Sequence, residues 1–555
     1  MKLVLTGGIA SLLENWYNSK KGQVDALNEN SRRILYLAIA ANVKAVQLVN
    51  REQAFQRLKL PVGSSFDRDP KKCCMPDTRA NVIESLVSFA LSEDTSSRLF
   101  LLSGLAGSGK SAIANSVANS LYQRGHLSGS FFFKSDIESH RIPANLLHAL
   151  AYSIALQYEP YEDALIDALN SDPVIEAATL SIQFDALLRK PLAKVSNISS
   201  TTAAGPSSKQ STVTFVIDAL DECDDPLTIS SYLAELVGLA PWLKVIVTSR
   251  PMNKSEAELR GSGYMAHLNL FTVDASEDIL KFTQSRFAPG GPLHRLRSRV
   301  KEEEIQALAD KSHGLFIWIQ TVLSYIDSLV YERTKLKEMR SIISLSRAGS
   351  PEKMVDELYL RMLRTVGGES PYYQDAVKNF VGFIAVTSRN GSLPCKGLHA
   401  FIPTSDPDIL IVPEDIEELQ SKLAAVIFVD PVTNALRVSH PSFLDFISEP
   451  ERSKEFWMDS KMLDTMMAKK CLDIMKASLK SNTYGLELSH QHNEEIPGLK
   501  QHIPEELQYS AVYWLDHLSR SRGMGNEKLK VAHDMLDNAW DDIMKMVEES
   551  ERGQS

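Results

Sequence analysis

Between residues 75 and 270, short unbroken apolar runs alternate with longer stretches whose apolar residues recur every three or four positions. The runs at 99–102, 130–133, 213–217, 245–248 and 267–270 lack the polar–apolar alternation of a half-exposed strand. They read as strands covered on both faces, which is the signature of a parallel sheet. Strands separated by helical stretches predict a parallel sheet with helices on both sides. Upstream, Ile34, Leu35, Leu37, Ala38, Ala41, Val43, Val46, Leu48 and Val49 keep helical steps until Pro61-Val62-Gly63 ends the pattern. Residues 1–74 are therefore expected to be mostly helical, with no role assigned. Residues 196–211 are rich in Ser, Thr, Ala and Gly and contain Pro206. They have little apolar surface to bury and predict a mobile loop.

Beyond 275 the strand rhythm fades. Helical periodicity covers 274–287, 300–329 and 351–365. A different order follows: helices at 373–386, 393–401 and 414–425, apolar triplets at 427–429 and 436–438 around a turn at 430–434, then a helix from Pro441. Three helices with a hairpin predict a winged helix; an unrelated α+β patch is the alternative. Residues 456–550 are helical again, and no repeat of 20–50 residues is evident. The fold class expected is multidomain: a parallel α/β sheet, then a helical lid, a winged helix and a C-terminal helical domain.

A chain of 555 residues is too long for one core and implies three or four domains. The net charge of −10 argues against broad nucleic-acid binding. Its five cysteines are scattered, which suggests a reducing compartment and no disulfide framework. No stretch reaches the ~18 apolar residues of a membrane span; the best, 315–330, is interrupted by Gln320, Ser324 and Asp327. Residues 3–13 faintly resemble a signal peptide but lack its apolar core and cleavage site. A cytoplasmic protein without a membrane partner is expected.

Residues 104–111 read Gly-Leu-Ala-Gly-Ser-Gly-Lys-Ser, a full G-x-x-x-x-G-K-S phosphate loop between a predicted strand and a predicted helix. Gly104 and Gly109 let the backbone turn so that successive N–H groups point at phosphate oxygens. The helix N-terminus adds partial positive charge. Gly104, Gly107, Ser108, Gly109, Lys110, Ser111 and Ala112 are the candidate nucleotide-binding residues of this loop. Lys110 can reach the β- and γ-phosphates, and the Ser111 hydroxyl can ligate Mg²⁺.

About 100 residues later, Val213-Thr214-Phe215-Val216-Ile217-Asp218-Ala219-Leu220-Asp221-Glu222 is an apolar strand ending in acids. Asp218, at the carboxyl end of a parallel strand, would hold Mg²⁺, usually through water. Either Asp221 or Glu222 could orient or deprotonate an attacking water. A further strand ends in Thr248-Ser249-Arg250-Pro251. Arg250 there can sense a γ-phosphate, although a strand followed by Arg-Pro is more often only a strand end.

In this order and spacing, these motifs resemble the NACHT branch of the STAND NTPases, in the fungal NOD-like receptor type also described as the nephrocystin-3-like N-terminal domain. Other segments agree. Cys74-Met75-Pro76-Asp77-Thr78-Arg79 resembles the start of that NTPase domain, and His313-Gly314-Leu315-Phe316-Ile317-Trp318 a helix of its lid. Ser439-His440-Pro441-Ser442-Phe443-Leu444-Asp445-Phe446 resembles its winged-helix signature, and 509–518 its closing helical segment. The resemblance covers about 75–520. It divides the chain into a P-loop NTPase domain (75–272), a lid (273–368), a winged helix (369–455) and a helical domain (456–555).

The resemblance implies a signalling switch closed by ADP and opened by exchange for ATP, with Mg²⁺, slow hydrolysis and homo-oligomerisation. It places Lys110, Ser111, Asp218 and Glu222 at nucleotide and Mg²⁺ positions, Arg250 as the sensor arginine, and His440 on the ADP phosphate. Thr78 and Arg79 fall on the adenine side. ATP rather than GTP is implied by the family alone. Two departures stand out: Gly314-Leu315-Phe316 replaces a Gly-x-Pro lid motif, and no C-terminal repeat array occurs up to Ser555. Either the chain is a truncated or minimal member, or sensing and output are expected from partner proteins. The alternatives are a nucleotide-binding scaffold with negligible hydrolysis and a small-molecule phosphotransferase; the latter is disfavoured by the absence of an evident acceptor pocket. DNA binding by the hairpin is disfavoured because 428–438 offers only Arg437 as a base.

Overall fold

The computed structural model describes residues 51–58, 60, 69–135, 137–172, 174–199, 212–345, 351–368, 371–388, 393, 395–402, 413–430, 434–478 and 503–521. Most of the predicted N-terminal helical segment and most of the predicted loop at 196–211 lie outside these residues. So do 479–502 and 522–555 of the C-terminal helical region.

Five strands build one sheet: β1 (Leu99–Ser103), β2 (Leu127–Phe132), β3 (Val213–Asp218), β4 (Leu243–Ser249) and β5 (Met265–Asn269). Their order is β2-β3-β4-β1-β5, and every neighbouring pair is parallel. The unbroken apolar runs of β1 to β4 are explained by burial on both faces, whereas β5, expected to be covered in the same way, is an edge strand that is only half-buried. Leu99 and Leu101 of β1 and Val245 and Val247 of β4 enter one core; Phe100, Leu102 and Ile246 enter the other. Helices α1 (Ala80–Leu91) and α2 (Lys110–Gln123) cover the second face. Helices α3 (Pro143–Gln157) and α4 (Pro226–Leu239) cover the first.

β2 begins three residues before its predicted start. Ser128-Gly129-Ser130 hid it, because the small residues make room for a neighbour. A Cβ at Gly129 would stand 2.5 Å from the Phe215 ring and 2.3 Å from Ser153 Oγ. Residues 196–199, expected in a loop, instead close the helix Lys190–Ser199.

After the sheet come α5 (Ser276–Phe287), α6 (Glu302–Lys311) and α7 (Phe316–Ser328). The single helix expected over 300–329 is thus two. His313 and Gly314 adopt left-handed φ of 47° and 84° between them, an interruption that glycine makes cheap. Next follow α8 (Pro351–Gly367), α9 (Pro371–Thr387) and α10 (Pro413–Lys422). The antiparallel hairpin β6 (Ile427–Val429) and β7 (Leu436–Val438) leads into α11 (Pro441–Ser448). The chain continues with α12 (Ser460–Ser478) and α13 (Glu505–Arg520). One hydrophobic cluster reaches from Ala275 to Tyr509, so all these elements share a core. No helix among the described residues is long and apolar enough to cross a membrane.

Candidate functional site

The site lies at the carboxyl ends of the strands. Because β4 runs between β1 and β3, the residues leaving β4 stand between the loop that follows β1 and the acids that follow β3. Gly104 donates its N–H to the Ser249 carbonyl at 3.2 Å, tying loop to strand end. Gly107 and Gly109 have φ of 77° and 95°, where a side chain is strained. At Gly107 space is also closed: a Cβ would come within 1.9 Å of Ile317 Cγ2. Ile317, in the first turn of α7, donates its N–H to the Gly107 carbonyl at 3.1 Å. The helices that follow the sheet and share one core therefore rest directly on the phosphate loop.

Lys110 opens α2 and is buried. Its ammonium donates to the carbonyls of Gly104 (2.8 Å) and Leu105 (2.9 Å). Burial lowers its pKa, and the charges of Asp221 and Asp218 oppose that shift. Ser111 is hydrogen-bonded to Asp218. Asp218 also accepts from Thr248 Oγ1 at 2.5 Å, and burial raises its pKa. Ser111 and Asp218 are thus adjacent, as a shared Mg²⁺ would need. Among the described residues no group of three or more His, Cys, Asp or Glu could hold a metal alone. The pair fits an ion that takes its other ligands from phosphate and water. Ala112 follows in the first turn of α2, half-buried.

Ala219 takes a left-handed φ of 55° and turns the chain into Leu220–Glu222. Asp221 accepts from the Arg250 backbone N–H (2.9 Å) and meets Arg250 Nε at 3.0 Å. Glu222 accepts from the Ser135 N–H at 2.7 Å, on the loop after β2. Burial, reinforced by the charges of Asp221 and Asp218, pushes its carboxyl up to about 7. Arg250 reaches the other way too: Nη1 donates to Asp445 Oδ2 at 2.6 Å. Burial works against its charge, yet Asp445 and Asp221 together raise its pKa. One guanidinium therefore bridges the sheet and α11.

His440 caps α11, its Nδ1 accepting from the Ser442 N–H at 3.1 Å. Burial, with Arg250 and Lys110 nearby, lowers the imidazole to about 3. Arg79, at φ 55°, donates its N–H to Asp278 (3.1 Å) and Nη2 to the Ser108 carbonyl (3.2 Å). Its guanidinium lies 5.3 Å from the centre of the Phe316 ring. Arg79 is only 4% exposed, yet among the described residues its Nε and Nη1 have no hydrogen-bond partner, nor has Ser108 Oγ. These orphaned donors flank a cavity of about 500 Å³ lined by Arg79, Ser108, Leu270, Ser312, His313 and Gly314 among others. Buried donors without acceptors cost stability, so the cavity is chemically fit for an acceptor-rich ligand. Thr78 is buried beside it, but its hydroxyl is spent on the Met75 carbonyl at 2.7 Å.

The structure brings the loop lysine, Asp218, Asp221, Glu222, Arg250 and His440 close to one another, while the cavity is lined by Arg79, Leu105 and Ser108 and by none of those acids. Sequence reasoning missed Asp445, Ser135 and Ile317. Asp445 stood inside a quoted motif, but nothing in the sequence pairs it with an arginine 195 residues earlier. Ser135 acts through its backbone, which no residue type announces.

Residues 83–250 match the family model described as Nephrocystin 3, N-terminal. The match runs from within α1 to Arg250 and spans the loop, the acids and β4. No curated protein matches the chain significantly. Among solved structures, a Walker-type ATPase of Pyrococcus abyssi aligns at 14% identity over 68% of this chain and 98% of its own, with a TM-score of 0.29. The Aeropyrum pernix ORC1 protein, solved in complex with DNA, aligns at 12% identity over 67% and 93%, with a TM-score of 0.30. PCH-2 of C. elegans aligns at 14% identity over 48% and 71%, with a TM-score of 0.26. At such scores the reading of the site rests on its own residues: an α/β P-loop NTPase fold.

Proposed function

We propose that the chain is an ATP/ADP-binding switch of the NACHT/STAND type, in which the sheet module and the helical module hold the nucleotide between them. The observation that carries this reading is the Arg250 bridge, with Asp221 on one side and Asp445 on the other. The arginine best placed to meet a γ-phosphate is the residue that fastens α11 to the sheet. A ligand shifts a conformational balance only through contacts that differ between the two states. ATP adds one phosphate, and an arginine drawn to it leaves Asp445. The module resting on the loop through Ile317 can then move.

In this reading the loop N–H groups and Lys110 bind the phosphates, and Ser111 and Asp218 would hold Mg²⁺, which would supply charge neutralisation for the phosphates. Arg79 and its cavity take the base and ribose. His440 presents a donor from the helical side. Glu222 orients or deprotonates the attacking water. The lid and winged-helix divisions at 273–368 and 369–455 are part of the proposal, as are assembly into oligomers on opening and the upstream and downstream protein partners.

The deciding experiment is to identify the nucleotide released from purified protein on denaturation. Near-stoichiometric ADP supports a closed switch. An empty protein that fails to bind added Mg-ATP overturns it. The scaffold reading is favoured by one observation, the capture of Glu222 by Ser135 at a carboxyl pKa of about 7. Wild-type turnover no faster than that of Glu222→Gln would establish it.

A further inference from the structure

The turn that follows β5, Leu270–Thr272, carries an aromatic ring that the fold does not use. Phe271 is 74% exposed, whereas Leu270 beside it is buried. Among the described residues Phe271 belongs to no hydrophobic cluster. A single exposed phenylalanine is ordinary, and its location is what gives this one meaning. Phe271 lines the same cavity as the orphaned donors of Arg79 and Ser108. A residue that lines a cavity and is also mostly exposed stands at its mouth.

The turn is held in place. Asn269 Oδ1 accepts from the Phe271 N–H at 2.9 Å, Thr272 Oγ1 donates to the Asn269 carbonyl at 2.8 Å, and the Val273 N–H donates to the Leu270 carbonyl at 3.2 Å. Leu270 packs the turn against the phosphate loop: a Cβ at Gly104 would stand 3.1 Å from Leu270 Cβ. The loop is itself part of the cavity wall. Leu105 and Ser108 line the cavity, and the Leu105 carbonyl holds the Lys110 ammonium at 2.9 Å. A nucleotide with its phosphates in this loop would therefore bring its sugar and base to the cavity. The volume of about 500 Å³ is that of a small-molecule site. Its walls differ in chemistry: Arg79 and Ser108 offer donors, while Leu270, Ala275, Ala309 and Leu315 offer apolar surface. A nucleobase matches both, with acceptors on its edge and a flat face that stacks on aromatic rings.

We propose that Phe271 is the base-stacking residue of this site, its ring closing the mouth of the cavity over the face of the nucleobase. This role rests on the switch reading above and adds to it the side chain that grips the base. Stacking uses the face of a base and not its edge. Phe271 thus supplies affinity without choosing between adenine and guanine. Because the side chain is exposed, shortening it leaves the core as it is.

The test is calorimetric titration of the full chain with Mg-ADP and with Mg-pyrophosphate, which fills a phosphate loop but has no base to stack. Phe271→Ala should weaken ADP binding about ten-fold and leave pyrophosphate binding unchanged. Phe271→Tyr keeps the ring and should bind ADP as the wild type does. Unchanged ADP affinity in Phe271→Ala would overturn the proposal. An equal loss for ADP and pyrophosphate would overturn it too, since the turn would then act on the loop and not on the base. Both of those results leave the switch reading standing. Wild-type protein that binds neither ligand would defeat the switch reading, and the stacking role with it.

Discussion

Lys110 spends its ammonium on two carbonyls of its own loop, and phosphate oxygens are stronger acceptors for it. Lys110→Ala should abolish ATP binding in calorimetry, a loss of at least about 3 kcal/mol, or ~100-fold; retained affinity would remove the loop from the site. His440 makes a prediction about pH. Its folded pKa is depressed to about 3, whereas an unfolded histidine titrates near 6.5. Above 6.5 both states are neutral and the group contributes nothing to pH dependence. Below it the unfolded chain takes up the proton first, so stability falls as pH drops from about 6.5 towards 3, by at most about 1.4 kcal/mol per unit. Asparagine keeps the helix cap and cannot titrate. Denaturant melts at pH 7 and 5 should therefore show a smaller acid loss for His440→Asn than for wild type. At this scale the sequence disclosed the groups whose chemistry is carried by type and spacing: the loop, Asp218, Asp221, Glu222 and Arg250. It could not disclose the Asp445 contact, which joins residues 195 positions apart.

The element that most constrains the site is α7, whose first turn lies on Gly107. Gly107→Ala meets both a left-handed φ and a 1.9 Å approach to Ile317. It should lower the unfolding free energy by about 2 kcal/mol or more. Differential scanning calorimetry would read this as a lower Tm, and trimming the neighbour in a Gly107→Ala/Ile317→Ala double variant should restore part of it. Failure of the second change to help would mean that backbone strain alone sets the cost. The strands of the sheet were readable because two-sided burial writes an unbroken apolar run. The start of β2 was not, because its small residues serve Phe215 rather than their own burial. The split between α6 and α7 was obscured for a related reason: apolar period continues through His313-Gly314, and only the backbone angles break it.

For the whole molecule, the prediction concerns the two modules together. Asp445→Asn removes one half of the Arg250 bridge while keeping the shape of α11. The pair is partly exposed, so about 1 kcal/mol, or roughly a five-fold faster ADP release, is the expected effect. Small-angle scattering of the variant in Mg-ATP should show a larger radius of gyration than wild type in ADP. Equal scattering and equal release would take the bridge out of the switch. The order of the elements was legible along the chain, but not their number, since 300–329 holds two helices, and not their sharing of one core, since hydrophobic period shows that a face is buried and not against what. That shared core has a mechanical consequence. In the proposed switch, elements bound into one cluster from Ala275 to Tyr509 move together, as a stiff lever. Its grip on the nucleotide end is local: a backbone hydrogen bond at Gly107, a carboxylate at Arg250 and another at the Arg79 amide. Stiffness in the lever and weakness in its fasteners together let the loss of a small contact swing a large mass, and a mutation deep among the helices would be felt as slack at the phosphate.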